Sequence, residues 1–68
     1  MVVDVQSMIY NIHRVVYVKN LNVIDNGDSI ELHGLCSSYY FKQLAGHTAL
    51  CMAGSLQVCN LIQVLKMH

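Results

Sequence analysis

The apolar residues of this chain switch between the helical and the extended period, and that alternation restricts the fold more than any other feature. Val5, Met8, Ile9, Ile12, Val15 and Val16 fall on one side of a helix, with Gln6, Asn11 and Arg14 away from the stripe and Asp4 placed to cap it. The spacing predicts a helix over about 5–17, weakened at its end by the β-branched residues Val15 to Val18, with Lys19 and Asn20 at the exit. Residues 21–25 then read as a short strand. In the following Asp25-Asn26-Gly27-Asp28, the Asn-Gly pair readily takes the positive φ that a tight hairpin needs. Residues 29–36 form a second strand, since Ile30 and Leu32 alternate with Glu31 and His33.

A second helix is expected over about 38–52. Ser37 or Ser38 can cap it, Phe41, Leu44, Ala45, Thr48, Ala49 and Met52 line one side, and Gly54 stands just past its end. Gly46 lies inside this helix at a cost of about 1 kcal/mol relative to alanine, which suggests a close approach of helix and sheet there. Finally Leu56, Val58, Ile62 and Val64 alternate with Gln57, Cys59, Leu61 and Gln63, which predicts a strand over 56–64. The order α-β-β-α-β, with no linker or repeat, implies an α+β fold: a two-layer α/β sandwich with two helices packed on one face of a three-stranded mixed sheet. A single crossover makes the last strand parallel to the second, while the strand order stays open.

Composition narrows the function classes. Of 68 residues, 54% are hydrophobic and 12% charged, enough apolar material for a core in one small domain but too little charge for a solvated spacer. Four Lys and Arg balance four Asp and Glu, and Arg14, Lys19, Lys42 and Lys66 are scattered, so nucleic acid is not an expected partner and charge alone gives little pull toward a membrane. No apolar run reaches the ~20 residues of a transmembrane helix. The opening Met-Val-Val-Asp-Val-Gln lacks the basic start of a secretory signal. Cys36, Cys51 and Cys59 are odd in number and irregular in spacing, which reads as free thiols, with one disulfide formally allowed.

Three phrases in order resemble the BON family, the bacterial module named for osmotically induced periplasmic and nodulation proteins. Ile30-Glu31-Leu32-His33-Gly34 is similar to its second-strand phrase, Ser37-Ser38 with Lys42-Gln43-Leu44-Ala45 to its second-helix opening, and Gly54 through Val64 to its closing phrase, which includes Asn60. With the preceding helix and hairpin the resemblance covers nearly the whole chain. Ala53 stands where the family often has Pro, and the hairpin is one residue longer than usual, leaving the register near Ile24 open. The resemblance implies an envelope-associated domain that binds phospholipid or mediates protein contacts, with small-ion binding reported for some members, no catalytic residue and no cofactor. Gly27, Gly34 and Gly54 match family positions, where their role is turn geometry and close packing.

Several residues are candidate sites. His47 and Cys51, four apart on the second helix, share a side and could hold zinc if two more ligands converged; His33 and Cys36 are the only nearby candidates, but their strand parity differs. Tyr39 and Tyr40, with Lys42 beyond, cluster at the start of that helix, where anions are favoured, and suit a lipid headgroup; the plainer reading is a core-edge tyrosine beside an exposed one. The sheet face away from the helices would carry Asn22, Glu31, His33, Gln63 and an apolar patch of Leu35, Cys59, Leu61 and Ile24. Such a patch, or an unpaired strand edge beside it, would serve self-association or docking to a parent protein.

The sequence thus points to a non-enzymatic binding or docking module, for protein or for phospholipid at an envelope surface. The alternatives are an ion-binding module, an enzyme, for which no acid-base pair or phosphate loop is evident, and a KH-like RNA domain, whose Gly-any-any-Gly clamp is missing. A complete gene product of this form is expected in the cytoplasm; an excised piece could come from an exported, periplasmic parent.

Overall fold

The structure is a computed structural model and describes residues 3–65. Asp4 starts α1 (Val5–Val15): its Oδ1 accepts the main-chain N–H groups of Gln6 at 3.1 Å and Ser7 at 3.3 Å, two donors that the first turn leaves without partners. The helix stops two residues before the expected 17, because Val16 has turned extended at φ −156° and ψ 144°. That change of backbone alters which valine is inside. Val16 is buried, whereas Val15, the last helical residue and a member of the predicted stripe, is 54% exposed. Met8 and Ile12 carry the buried face of α1.

The chain enters β1 (Lys19–Asp25) two residues earlier than expected and pairs antiparallel with β2 (Ser29–Cys36). The early entry is made by a β-bulge. Register shifts between Lys19, opposite Leu35, and Asn22, opposite His33, and Asn20 takes a φ of 57°, which asparagine tolerates better than most residues. Close by, Gly34 admits the bulging chain. A Cβ there would stand 2.5 Å from Val18 Cγ1 and 3.0 Å from the Lys19 carbonyl oxygen.

At the hairpin Asp25 pairs with Ile30 and Asn26 N–H donates to the Ser29 carbonyl at 2.9 Å, so the two central turn residues are Gly27 and Asp28. Only Gly27 has positive φ, 92°, the mark of a turn with glycine first. Asn26 instead anchors the turn from outside, and this settles the register at Ile24, which faces Glu31.

Ser38 caps α2 (Tyr39–Ala53), its Oγ accepting Phe41 N–H at 3.2 Å, and Gly54 ends the helix at φ 66°. The buried stripe of α2 is Ala45, Ala49 and Ala53, which lets the helix lie close to the sheet, with Phe41, Leu44 and Met52 packed at its margins. Gly46 lies close against Asn60, where an added Cβ would stand 2.6 Å from Nδ2.

The expected strand 56–64 is two short strands, β3 (Gln57–Asn60) and β4 (Gln63–Val64), so the mixed sheet has four strands rather than three. Both run parallel to β2 in one continuous register: Ser29 faces Gln57, and Leu35 faces Gln63. The interruption at Leu61 and Ile62 lies opposite His33 and Gly34, where β2 accommodates the bulge, and there Asn60 Oδ1 accepts Ile62 N–H at 3.3 Å. The sheet order is β1-β2-β3, with β4 beside the far half of β2. Both helices cover one face, giving the two-layer α+β sandwich. Its core joins Met8 and Ile12 to Val23, Ile30, Leu32 and Ile62, each burial contributing about 1.5–3 kcal/mol.

Candidate functional site

The uncovered face of the sheet holds three rows of side chains. Ile24, Glu31 and Cys59 form the first, Asn22 and His33 the second, and Lys19, Leu35 and Gln63 the third. Leu61, 51% exposed, continues the alternation from Cys59. The centre of the face is polar: His33 Nε2 lies 2.9 Å from Glu31 Oε1, and Asn26 Nδ2 donates to Glu31 Oε2 at 2.7 Å. The bond with His33 first, and that from Asn26 second, holds the Glu31 carboxyl below its ordinary range. This pair separates Ile24 on one side from Cys59 and Leu61 on the other, so the four apolar candidates share a face without forming one patch.

Leu35, at the far row, turns instead toward a more apolar surface. Tyr17, Lys19, Leu35, Cys36, Phe41 and Leu65 surround an open cleft of about 260 Å³. It lies where α1 hands over to β1, where β2 and β4 end, and where α2 begins. The neighbouring chain ends are held together: Leu65 N–H donates to the Cys36 carbonyl at 2.9 Å, and the Cys36 thiol donates to the Ser38 carbonyl at 3.2 Å. Tyr17, 73% exposed, stacks its ring against His13 at a centroid distance of 6.4 Å. Sequence reasoning did not assemble this cleft. The available signals were isolated apolar residues, Tyr17 and Leu65, just outside the ends of their elements.

Tyr39 and Tyr40 project from the first turn of α2 at 63% and 66% exposure, while Phe41 turns inward, its ring 6.2 Å from that of Tyr40. Lys42 is half-buried, and its carbonyl accepts the Asn60 side-chain amide at 2.9 Å. At this helix start the Phe41 N–H is already occupied by Ser38, which leaves fewer free donors for an anion. His47 and Cys51 come together on the exposed side of α2, Sγ 3.7 Å from Nε2. Among the described residues no third His, Cys, Asp or Glu joins them in a metal-binding group. His33 is engaged with Glu31 on the uncovered face, and Cys36 is buried beneath it.

Asn60 was not singled out as a site residue, yet it ties β3 to α2 and shapes the passage to β4. Among the described residues no helix is long and apolar enough to cross a membrane. Comparison with known proteins finds no family model, curated protein or solved structure that matches the chain.

Proposed function

We propose that this chain is a non-enzymatic docking module that makes protein–protein contacts. The observation that carries this reading is the cleft beneath Tyr17 and Phe41, whose walls are mostly apolar side chains from β2, α2 and the segments just outside α1 and β4, with Lys19 at its rim. A concave apolar site with a charged margin suits an aliphatic or aromatic anchor from a partner polypeptide. The sequence resemblance to BON domains points toward binding as well. It also supports a second reading, attachment to phospholipid at an envelope surface, which the exposed Tyr39 and Tyr40 favour by presenting two amphipathic rings beside Lys42.

Selection of a random peptide library on the folded chain, followed by amide chemical-shift mapping, tests the two readings together. Bound peptides are expected to move the resonances of Leu35, Cys36, Phe41 and Leu65, and vesicles of zwitterionic or anionic lipid are expected not to co-sediment the chain at low salt. Failure to select any peptide, with anionic vesicles binding in a way that Tyr39→Ser and Tyr40→Ser abolish, would transfer the function to lipid.

A further inference from the structure

We propose that two copies of this chain pair edge to edge through β3, antiparallel about a two-fold axis at Cys59, to make one continuous sheet. This rests on the protein-contact reading and names a partner, a second copy, on a surface separate from the cleft. The two outer strands of the sheet differ in how they are protected. At β1 the bulge, Asn20 at φ 57° and Lys19 break the regular row of main-chain groups, which are recognised defences of an exposed edge. β3 is short, four residues, but within Gln57–Asn60 it carries no charged side chain and no residue of positive φ. Among the described residues no strand lies beyond it.

The phase of the exposed groups follows from the ladder. Leu61 N–H donates to the Leu32 carbonyl, so in a regular strand Cys59 also points its main-chain groups at β2, and Val58 and Asn60 point theirs outward. An antiparallel mate satisfies all of them in one register. Val58 exchanges both main-chain hydrogen bonds with Asn60 of the second copy, and Asn60 does so with the second copy's Val58. Cys59 then faces its own equivalent in a non-hydrogen-bonded pair, with Cα atoms about 4.5 Å apart.

A second copy is the occupant that charge favours. A two-fold contact sets each residue near its own equivalent, so charged residues around the axis oppose their like. From Gln43 to Leu65 the chain contains no Asp, Glu, Lys or Arg, and that stretch supplies both β3 and the adjoining part of α2. In the helical layer, Gly46, His47 and Leu50 line a groove of about 270 Å³ with Val58 and Asn60, directly beside this edge. Leu50 is 54% exposed there and would be covered by the mate.

The test uses the full chain at micromolar to millimolar concentration in sedimentation velocity, with disulfide trapping as a register-specific readout. In a Cys51→Ser chain, diamide is expected to oxidise two Cys59 thiols to one disulfide, taking up their two protons and two electrons. Mass spectrometry should find the Cys59–Cys59 link, because about 4.5 Å lies within the Cα spacing that a disulfide spans. Leu50→Glu, at an exposed position, should leave the circular dichroism of the monomer unchanged, weaken association at least about tenfold and reduce trapping in parallel. A dimer that ignores Leu50→Glu and never links through Cys59 uses another surface and overturns the proposal. A strict monomer that still takes peptides into the Tyr17–Phe41 cleft overturns strand pairing alone, whereas a chain that does neither loses the protein-contact reading as well.

Discussion

Replacing Gly46 with alanine sets two local effects against each other, and the structure says which wins. On helix propensity alone the substitution should stabilise α2 by about 1 kcal/mol. The added Cβ, however, would stand 2.6 Å from Asn60 Nδ2 and 3.5 Å from its Cγ. The amide cannot simply swing away, because its nitrogen donates to the Lys42 carbonyl at 2.9 Å and its oxygen accepts Ile62 N–H at 3.3 Å. Breaking both bonds costs about 0.5–1.5 kcal/mol each, and more where a half-buried partner is left unsatisfied. Gly46→Ala should therefore destabilise the chain by a net of about 1–2 kcal/mol, a large share of the stability of so small a domain.

A double-mutant cycle isolates the cause. Asn60→Ala should itself lose about 1–3 kcal/mol through the same two bonds. In that background the Asn60 Cβ stands 3.8 Å from the position of a Cβ at residue 46, an ordinary van der Waals contact, so Gly46→Ala should now gain up to about 1 kcal/mol. With the full gain, the two substitutions are thus coupled by about 2–3 kcal/mol, measurable by urea unfolding followed by far-ultraviolet circular dichroism. Additive effects, or a wild-type background in which Gly46→Ala is the more stable protein, would refute the reasoning.

Two further outcomes follow from the bulge and the polar centre of the uncovered face. Gly34→Ala meets both a valine methyl and a backbone carbonyl, which cannot move independently of β1, and should cost about 2–3 kcal/mol or more in urea unfolding; a loss under about 0.5 kcal/mol would mean the bulge relaxes freely. Glu31, held below its ordinary value of 4.5 by His33 and then Asn26, binds its proton less readily folded than unfolded; its contribution to stability is present above that value and is lost as pH falls through the lower folded one. Carbon-detected titration should show this depression partly reversed in Asn26→Ala, and a Glu31 that titrates at or above the ordinary value in the unaltered chain would contradict the geometry.

Local period carried much of the architecture, because each buried residue had to fall on a particular side of its own element. Ile30 and Leu32 alternate against Glu31 and His33, and β2 spans 29–36 accordingly. What period could not convey was an event that one strand imposes on another. Residues 56–64 keep the period of two except at Asn60, which stands on the apolar parity, and they divide just after it into β3 and β4, opposite His33 and Gly34, where β2 accommodates the bulge. The turn shows the same limit. The Asn-Gly pair marked the hairpin, but the Asn26–Ser29 bond centres it on Gly27 and Asp28 and leaves Asn26 free to hold Glu31.

The candidate sites follow the same division. Parity was enough to list Ile24, Leu35, Cys59 and Leu61 together, since side-chain direction is a property of one strand. Whether they touch is a property of the whole sheet, and the Glu31–His33 pair comes between them. The cleft lies further from what a sequence discloses, because Tyr17, Leu35, Phe41 and Leu65 belong to no common period. They meet only because the bulge at Asn20 and the pairing of β4 with the end of β2 bring the element ends to one corner. The same bulge interrupts one outer strand and leaves β3 as the regular, uncharged edge. A single irregularity in β1 therefore bears on both surfaces: it helps form the cleft proposed for a partner polypeptide and interrupts the edge opposite the one proposed for a second copy.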